Sequence, residues 1–416
     1  MTRSVLLAAV FTFTLAAESI TLDQALKEAS EKNLSLLAER YSLTIADARI
    51  VQAGLRPNPV FSYGQDYQDT FRLGNSSANS SSSPEFNTRV DFILERGAKR
   101  ERRIELANAQ KSVAGLQLAN TLRQLYLDVT NAYVDGLAAR DSLALARENL
   151  KSLQDVVEVN QSRVRAGDLA EIELTRTRLA AMQFETTVRQ AELRLRTATT
   201  KLLLLMGRGP SAAGVEIDGS LRSDRLAQAA GEIRDVALTN RPDLLALSRD
   251  QARSQSDVRL QISQSKVDLD VGVMYHHQYG FPGINSNAMG FFVSAPIPVF
   301  NRNQGEIARA QRESLQALAR IEALRAQIEN EVQVAYDQYA SSRSQVDRIE
   351  RDMLQQAKDV RDTTEYSYRR GEASFVEFLD AQRAYNDTMQ SYNDARADHA
   401  RNLYLIDSVS AKGLNP

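Results

Sequence analysis

"SAPIPVFNRNQGE", Ser294–Glu306, joins two kinds of sequence. Before it, apolar and polar residues alternate; after it no proline occurs from Val299 to Asn415, and Ala, Gln, Arg and Glu dominate. Period-two alternation marks a strand with two different faces, and a long proline-free run of strong helix formers marks a helix. Pro296 and Pro298 each lack an amide donor, which is tolerated at the end of a strand. The stretch therefore reads as a joint where sheet gives way to helix. Asn301 and Asn303, on either side of Arg302, offer cap oxygens for that helix, and Gly305 permits close packing beside a neighbour.

The alternation extends outward. Val267, Leu269, Val271, Val273 and Tyr275 face one way and Asp268, Asp270, Gly272, Met274 and His276 the other. After the turn Gly280–Asn287, a return strand aligns Met289, Phe291, Val293 and Ala295. Far upstream, following "RPNP" (Arg56–Pro59), Phe61, Tyr63 and Tyr67 alternate with Ser62, Gly64 and Asp66. Beyond the polar loop Leu73–Pro84, Phe86, Thr88, Val90, Phe92 and Leu94 alternate with Asn87, Arg89 and Asp91. Strands of about ten residues with one apolar and one polar face fit a transmembrane barrel. A half-buried soluble sheet alternates in the same way, but two isolated hairpins so far apart in sequence form no stable sheet unaided. His276 and His277 point to opposite faces of their strand, so they do not chelate one metal together. Beside Tyr275, Tyr279 and Phe281 they read as membrane-interface residues.

The remainder reads as helix. Thr21 with Gln24 makes a capping box. No proline occurs from Glu85 to Gly209, and within that span Leu122, Val129, Gly136, Leu143, Leu150, Val157 and Val164 recur every seven residues. Leu125, Ala132, Ala139, Ala146, Leu153 and Asn160 recur three positions later, completing an a/d seam. Val332, Tyr339, Val346, Met353 and Val360 echo it downstream. A helix from Ala98 to Ala166 would run roughly 100 Å at 1.5 Å per residue, too long for an ordinary globular core. Small residues along the seam allow close helix approach but bury little area, so neighbouring subunits are expected to supply the rest.

The chain also aligns with itself. "NLSLLAERYSLTIADARI" from Asn33 overlies "DLLALSRDQARSQSDVRL" from Asp243, a shift of 210. "RAGDLAEIELTRTRLA" from Arg165 overlies "RRGEASFVEFLDAQRA" from Arg369, a shift of 204. We expect a signal peptide over 1–17, a first structural repeat over 18–210, a linker over 211–231, a second repeat over 232–410 and a short tail over 411–416. The hairpins fall at about 57–95 and 266–300. Four strands cannot close a barrel, whereas three copies supply twelve. The expected architecture is mainly α with a transmembrane β part: a trimeric twelve-stranded barrel continued by a long α-helical barrel.

Composition removes several function classes. The 51 basic and 53 acidic side chains nearly cancel, leaving no footprint for nucleic acid. Without cysteine there is no disulfide, thiolate metal site or thiol nucleophile. No phosphate loop, HExxH or Ser-His-Asp arrangement stands out, so neither an enzyme nor a cofactor is expected.

"RPNP", "LERGAKRERR" (Leu94–Arg103), "RPDL" (Arg241–Leu244), "PIPVFNRNQG" and "YRRGEASFVEFLDAQRAY" (Tyr368–Tyr385) together resemble the TolC-type outer-membrane efflux proteins, across essentially the whole mature chain. "PIPVFNRNQG" is most similar to the heavy-metal efflux branch. The resemblance implies a passive exit duct in the outer membrane of a Gram-negative bacterium, extending into the periplasm. It implies as partners a periplasmic adaptor, an inner-membrane pump of the resistance-nodulation-division type and outer-membrane lipid, with metal cations as cargo and drugs or other small organic molecules as the alternative. Many relatives carry a lipidated N-terminal cysteine, which this sequence lacks. A pore-less coiled-coil scaffold or adhesin is the competing class, and the paired strands argue against it.

Two groups of candidate residues follow. Gly167 and Gly371 stand where a long helix must reverse, beside Arg165 and Arg369; the resemblance makes these turns periplasmic tips that meet the adaptor. Glu377 and Asp380 share a helix face and would form stacked carboxylate rings in a trimer. They match the two acidic positions of the family's constriction motif. Glu173 matches the first in the other repeat, Arg176 replaces the second, and Tyr368 matches a tyrosine implicated in the closed state. Ala373 stands where some relatives have a basic latch residue, so the full latch is not carried over.

Overall fold

The structure is a computed structural model that describes residues 18–66, 85–210, 214–279 and 285–412. The expected signal peptide, Tyr67, the loop Leu73–Pro84, Phe281, the tip of the second turn and the end of the tail lie outside the described residues. The chain divides into two compact units, one of residues 1–39, 118–242 and 325–416 and the other of 40–117 and 243–324.

The first unit is built on long helices. It takes in α1 (Leu22–Lys32), the larger part of α3 (Lys99–Ala166), α4 (Glu171–Leu205), α5 (Ala230–Asn240), the end of α7 (Gln304–Arg348), α8 (Leu354–Arg370) and α9 (Phe375–Val409). The Thr21 box forms as expected, with the Thr21 hydroxyl accepting from the Gln24 N–H and Gln24 Oε1 accepting from the Thr21 N–H at 3.0 Å. Along α3 the seam is buried at Leu125, Val129, Ala132, Leu143, Ala146, Leu153 and Asn160. Gly136 serves a different neighbour than a helix. Strands β1 (Glu18–Ile20) and β4 (Val215–Ile217) pair in parallel, and a Cβ on Gly136 would collide with the Ile217 side chain. The missing methyl makes room for the ribbon, whose Ile20 and Ile217 join Val129, Tyr133, Leu202 and Met206 in one core. Arg208 ties the region together by pairing with Glu18 at 2.8 Å and Glu28 at 2.6 Å, which holds both carboxyls below their ordinary range.

The downstream seam departs from the heptad expectation. Val332 and Tyr339 are buried, but Met353 and Val360 are exposed. Between α7 and α8 the backbone makes a π-helical turn over Ile349–Met353. One extra residue per turn rotates everything after it by about 100°, so the inward seam moves one place, to Leu354, Arg361 and Tyr368.

The second unit holds the sheet, together with most of α2 (Leu34–Gly54), the start of α3, nearly all of α6 (Pro242–Gln264) and the first part of α7. Strands β2 (Val60–Asp66), β3 (Glu85–Leu94), β5 (Leu269–Gln278) and β6 (Ser286–Ser294) form one antiparallel sheet in the order β2-β3-β5-β6. The two hairpins meet through β3 and β5, with Leu94 opposite Leu269 and Glu85 opposite Gln278. This register aligns Phe61, Val90, Val273 and Phe291 on one face, and Ser62, Arg89, Met274 and Gly290 on the other. The apolar face is bare: Phe291 is 81% exposed, Met289 72% and Phe61 67%.

The run "LERGAKRERR" also acquires a structural account. Gly97 and Ala98 take left-handed φ values of 76° and 57° between β3 and α3. Lys99 then pairs with Asp268 at 2.7 Å. Arg100 donates to the Gly54 carbonyl at 2.6 Å and Arg103 to those of Ala53 and Leu55, satisfying the end of α2, while Arg103 also holds Glu95.

At the other joint, Asn301 does not cap the helix as expected. Its Oδ1 accepts the Asn303 N–H at 2.9 Å, inside the turn. Asn303 sits at φ 61° and donates its side-chain amide to the Gln261 carbonyl at 2.8 Å, fastening the joint to α6. Arg302 donates to the Pro298 carbonyl, and no described atom lies within contact distance of a Cβ built on Gly305. Pro296 and Pro298 flank Ile297, and with it Phe300 is almost wholly exposed, at 91%.

Gly207 ends α4 at φ 75°, and a Cβ there would strike the Lys32 carbonyl. Gly207→Ala should therefore destabilise the folded chain by about 1–3 kcal/mol. Gly209→Ala, with open space around it, should leave thermal melting in detergent unchanged. Equal melting of the two variants would contradict this packing.

Candidate functional site: the paired helix turns

The two turns singled out by glycine lie side by side in the first unit. Gly167 and Gly371 adopt φ values of 83° and 81°. In the first turn Asp168 N–H donates to the Arg163 carbonyl, and in the second Glu372 N–H donates to the Ser367 carbonyl, both at 2.9 Å. That six-to-one closure is the Schellman ending, which needs a left-handed residue and so favours glycine. Arg163 bridges them, with its guanidinium 3.4 Å from the Tyr368 carbonyl. Arg369 pairs with Glu365 on its own helix at 2.5 Å, while Arg165 is exposed at the first turn.

Beneath the turns, Leu153, Val156, Ala180, Tyr368, Phe375 and Phe378 form an apolar plug. Tyr368 stacks on Phe378 with centroids 5.3 Å apart and 14° between planes. Its hydroxyl accepts from Asn160 Nδ2 at 2.7 Å, and the same amide donates to Thr177 Oγ1 at 2.8 Å. Asn160 Oδ1 is buried without a hydrogen-bond partner. A second polar layer lies one step along, where Gln382 Nε2 donates to Asn149 Oδ1 at 2.9 Å. Tyr368 is thus anchored inside its own chain.

The acidic candidates differ from one another. Glu377 closes a capping box on α9: its Oε2 accepts from the Ser374 N–H at 2.7 Å and from the Ser374 hydroxyl at 2.9 Å. The Ser374 N–H holds the Glu377 carboxyl below its ordinary range. Asp380, one turn on, is exposed. Glu173 is paired with Arg176 at 2.8 Å, so the arginine that replaces the second acidic position neutralises the first. Sequence reading passed over the Ser374 box and treated Asn160 only as a seam position. The signals were present, as S-x-x-E before an apolar run and as a polar residue at a d position.

Among the described residues no group of three metal-ligating side chains gathers, and no helix is long and apolar enough to cross a membrane. The outer membrane efflux protein family matches residues 25–208 and 233–407. The chain belongs to that family. Its family and fold are those of efflux channels and not of enzymes, which favours a channel over a pore-less scaffold. It is 26% identical to the cobalt-zinc-cadmium resistance protein CzcC of Cupriavidus metallidurans, over 88% of this chain and 84% of that one. It is 25% identical to the pyoverdine export outer membrane protein OpmQ of Pseudomonas putida, over 87% and 80%. Its fold matches the CusC channel with a TM-score of 0.76 at 17% identity, covering 94% of this chain and 91% of that one. It matches the Campylobacter jejuni CmeC channel at 0.77 and 14% identity, covering 94% and 86%.

Two outcomes follow from this geometry. Tyr368→Phe leaves an Asn160 donor without its buried acceptor and should cost about 1–3 kcal/mol, part of which Asn160→Leu in the same chain recovers; thermal melts of the three variants check it. Because the folded Glu377 carboxyl titrates low, its cap contributes fully above the ordinary carboxyl range and is lost as pH falls through the depressed value. Carbon-13 titration of labelled Glu should show, among the low-titrating carboxyls, one that moves part of the way back toward the ordinary range in Ser374→Ala, which removes the hydroxyl donor and keeps the N–H.

Proposed function

We propose that this chain is the exit duct of a three-part exporter, working as a homotrimer with a periplasmic adaptor and an inner-membrane pump of the resistance-nodulation-division type. The observation that carries the reading is the sheet. It has one apolar and one polar face, and β2 and β6 each have a neighbour on one side only among the described residues. Such edges do not survive in hydrocarbon, and joining β6 of one copy to β2 of the next through three copies closes twelve strands. Exposed apolar stripes on the helices fit the same assembly: Leu34, Leu37, Tyr41 and Ile45 on α2, and Ile172, Leu179 and Leu193 on α4. The polar sheet face then lines a water-filled barrel in the outer membrane, and the helices form its periplasmic tube.

The order of helices, strand hairpin, long helix, glycine turn and helix occurs twice, which supports an origin by duplication of one unit. The turns at Arg165–Gly167 and Arg369–Gly371 are the adaptor-facing tips. Glu377 and Asp380 narrow the periplasmic mouth as rings of carboxylates, which concentrate cations. Metal cations are the proposed cargo, a reading supported by the similarity to CzcC and to the nickel-cobalt-cadmium resistance protein NccC of Alcaligenes xylosoxydans xylosoxydans.

Purified protein should migrate at three times the chain mass and conduct ions in planar bilayers; a non-conducting monomer would sink the reading. Glu377→Ala with Asp380→Ala should raise conductance about twofold or more and weaken block by divalent cations. Unchanged current in the double variant would remove these residues from the mouth.

A further inference from the structure

On the polar face of the sheet the described ionisable side chains are Asp66, Glu85, Arg89, Asp91, Asp270 and His276. Arg89 is the one arginine or lysine among them, and it does not stand free. Its Nε donates to Asp91 Oδ1 at 2.7 Å, two residues along the same strand. Its guanidinium carbon lies 4.8 Å from the centre of the Phe292 ring. Both arrangements converge on Gly272, which registers opposite Asp91 on β3 and opposite Phe292 on β6. A Cβ on Gly272 would overlap the Asp91 carboxylate and stand 3.3 Å from Arg89 Nε. The absent side chain is the floor on which the ion pair lies.

We infer that Gly272, Asp91 and Phe292 stow Arg89 against the barrel wall and thereby set the ion preference of the outer-membrane segment. The inference rests on the barrel reading above, which makes this face the lumen. With Arg89 neutralised in place, Asp66, Glu85 and Asp270 are the remaining acidic charges that the described residues present on this face, Glu85 with His276 Nε2 3.8 Å away, and they recur in each copy. A ring of carboxylates without an arginine or lysine partner lowers the potential for cations and raises it for anions. Laid along the wall, the longest side chain of this face also leaves the bore open. Glycine at 272 is therefore a specificity-determining residue that never meets the cargo.

The test uses the full chain reconstituted in planar bilayers, with the potassium-to-chloride permeability ratio taken from reversal potentials in a salt gradient. Wild type should prefer potassium. Asp91→Asn frees Arg89 and should lower the ratio by about twofold or more. Arg89→Gln should raise it, and the two together should return it close to wild type. Gly272→Ala alters no charge but unseats the pair, so it should lower both the ratio and the single-channel conductance, and both losses should vanish in an Arg89→Gln background. A wild-type channel that conducts while all these variants match it in ratio and conductance overturns the inference alone. A wild type that never conducts overturns the barrel reading and this inference with it.

Discussion

A backbone amide or carbonyl in hydrocarbon has no water to bond, and each one left unpaired costs several kcal/mol. On the proposed barrel reading, that constraint governs the sheet and, through it, the assembly. Among the described residues β3 and β5 are paired on both sides, but β2 and β6 are not. No open sheet of four strands is without two edges, so on that reading a single copy is incomplete within the membrane. The same shortage appears in the helices. The core of the first unit contains Ala25, Ala29, Ala132, Ala397 and Ala400 alongside its larger residues. Alanine brings helices close but buries little area, roughly 25 cal/mol for each Å² removed from water. The stripes left exposed on α2 and α4 are area that the proposed assembly would bury.

Buried polar residues answer a problem that such a seam creates. Helices packed through small side chains slide past one another at little cost, because one alanine layer resembles the next. A buried amide does not slide, since moving it one turn strands its hydrogen-bonding groups. Asn160 with Thr177 and Tyr368, and Asn149 with Gln382, each link different helices in this way. The first pins α3, α4 and α8 beside the two glycine turns, so the position of the turns is set by a specific contact and not by the seam alone.

What was legible in the sequence follows from the range of the signal. Strand alternation, the Thr21 box and the left-handed glycines are written in neighbouring residues, and each formed where the local pattern put it. The family was legible for the same reason, since its motifs lie at turns and joints. The π-helical turn at Ile349–Met353 was not, because no local residue type demands it. It accommodates the phase mismatch between the upstream seam and the requirement that Tyr368 face inward. Gly136 was misread because its partner, Ile217, arrives from a distant strand. Asn301 and Asn303 have the right chemistry for caps, but Gln261 on α6 claims the amide of Asn303, a contact visible only once the helices are in place.

Glu377 shows why the acidic site was only half legible. Two carboxylates three residues apart read as equals, yet the first is committed to its own helix end and the second is not. Capping orients the Glu377 carboxylate toward Ser374 and holds it ionised at lower pH. A ring built from it would therefore keep its charge under acid conditions in which an uncapped carboxylate begins to lose its own. Glu173, by contrast, already has Arg176 as its counter-ion, so the two repeats contribute unequal charge at matching positions. A trimer of this chain would then alternate unpaired and arginine-paired carboxylates at these matching positions around its mouth, and its field would follow the three-fold assembly and not the six-fold pseudosymmetry of its repeats.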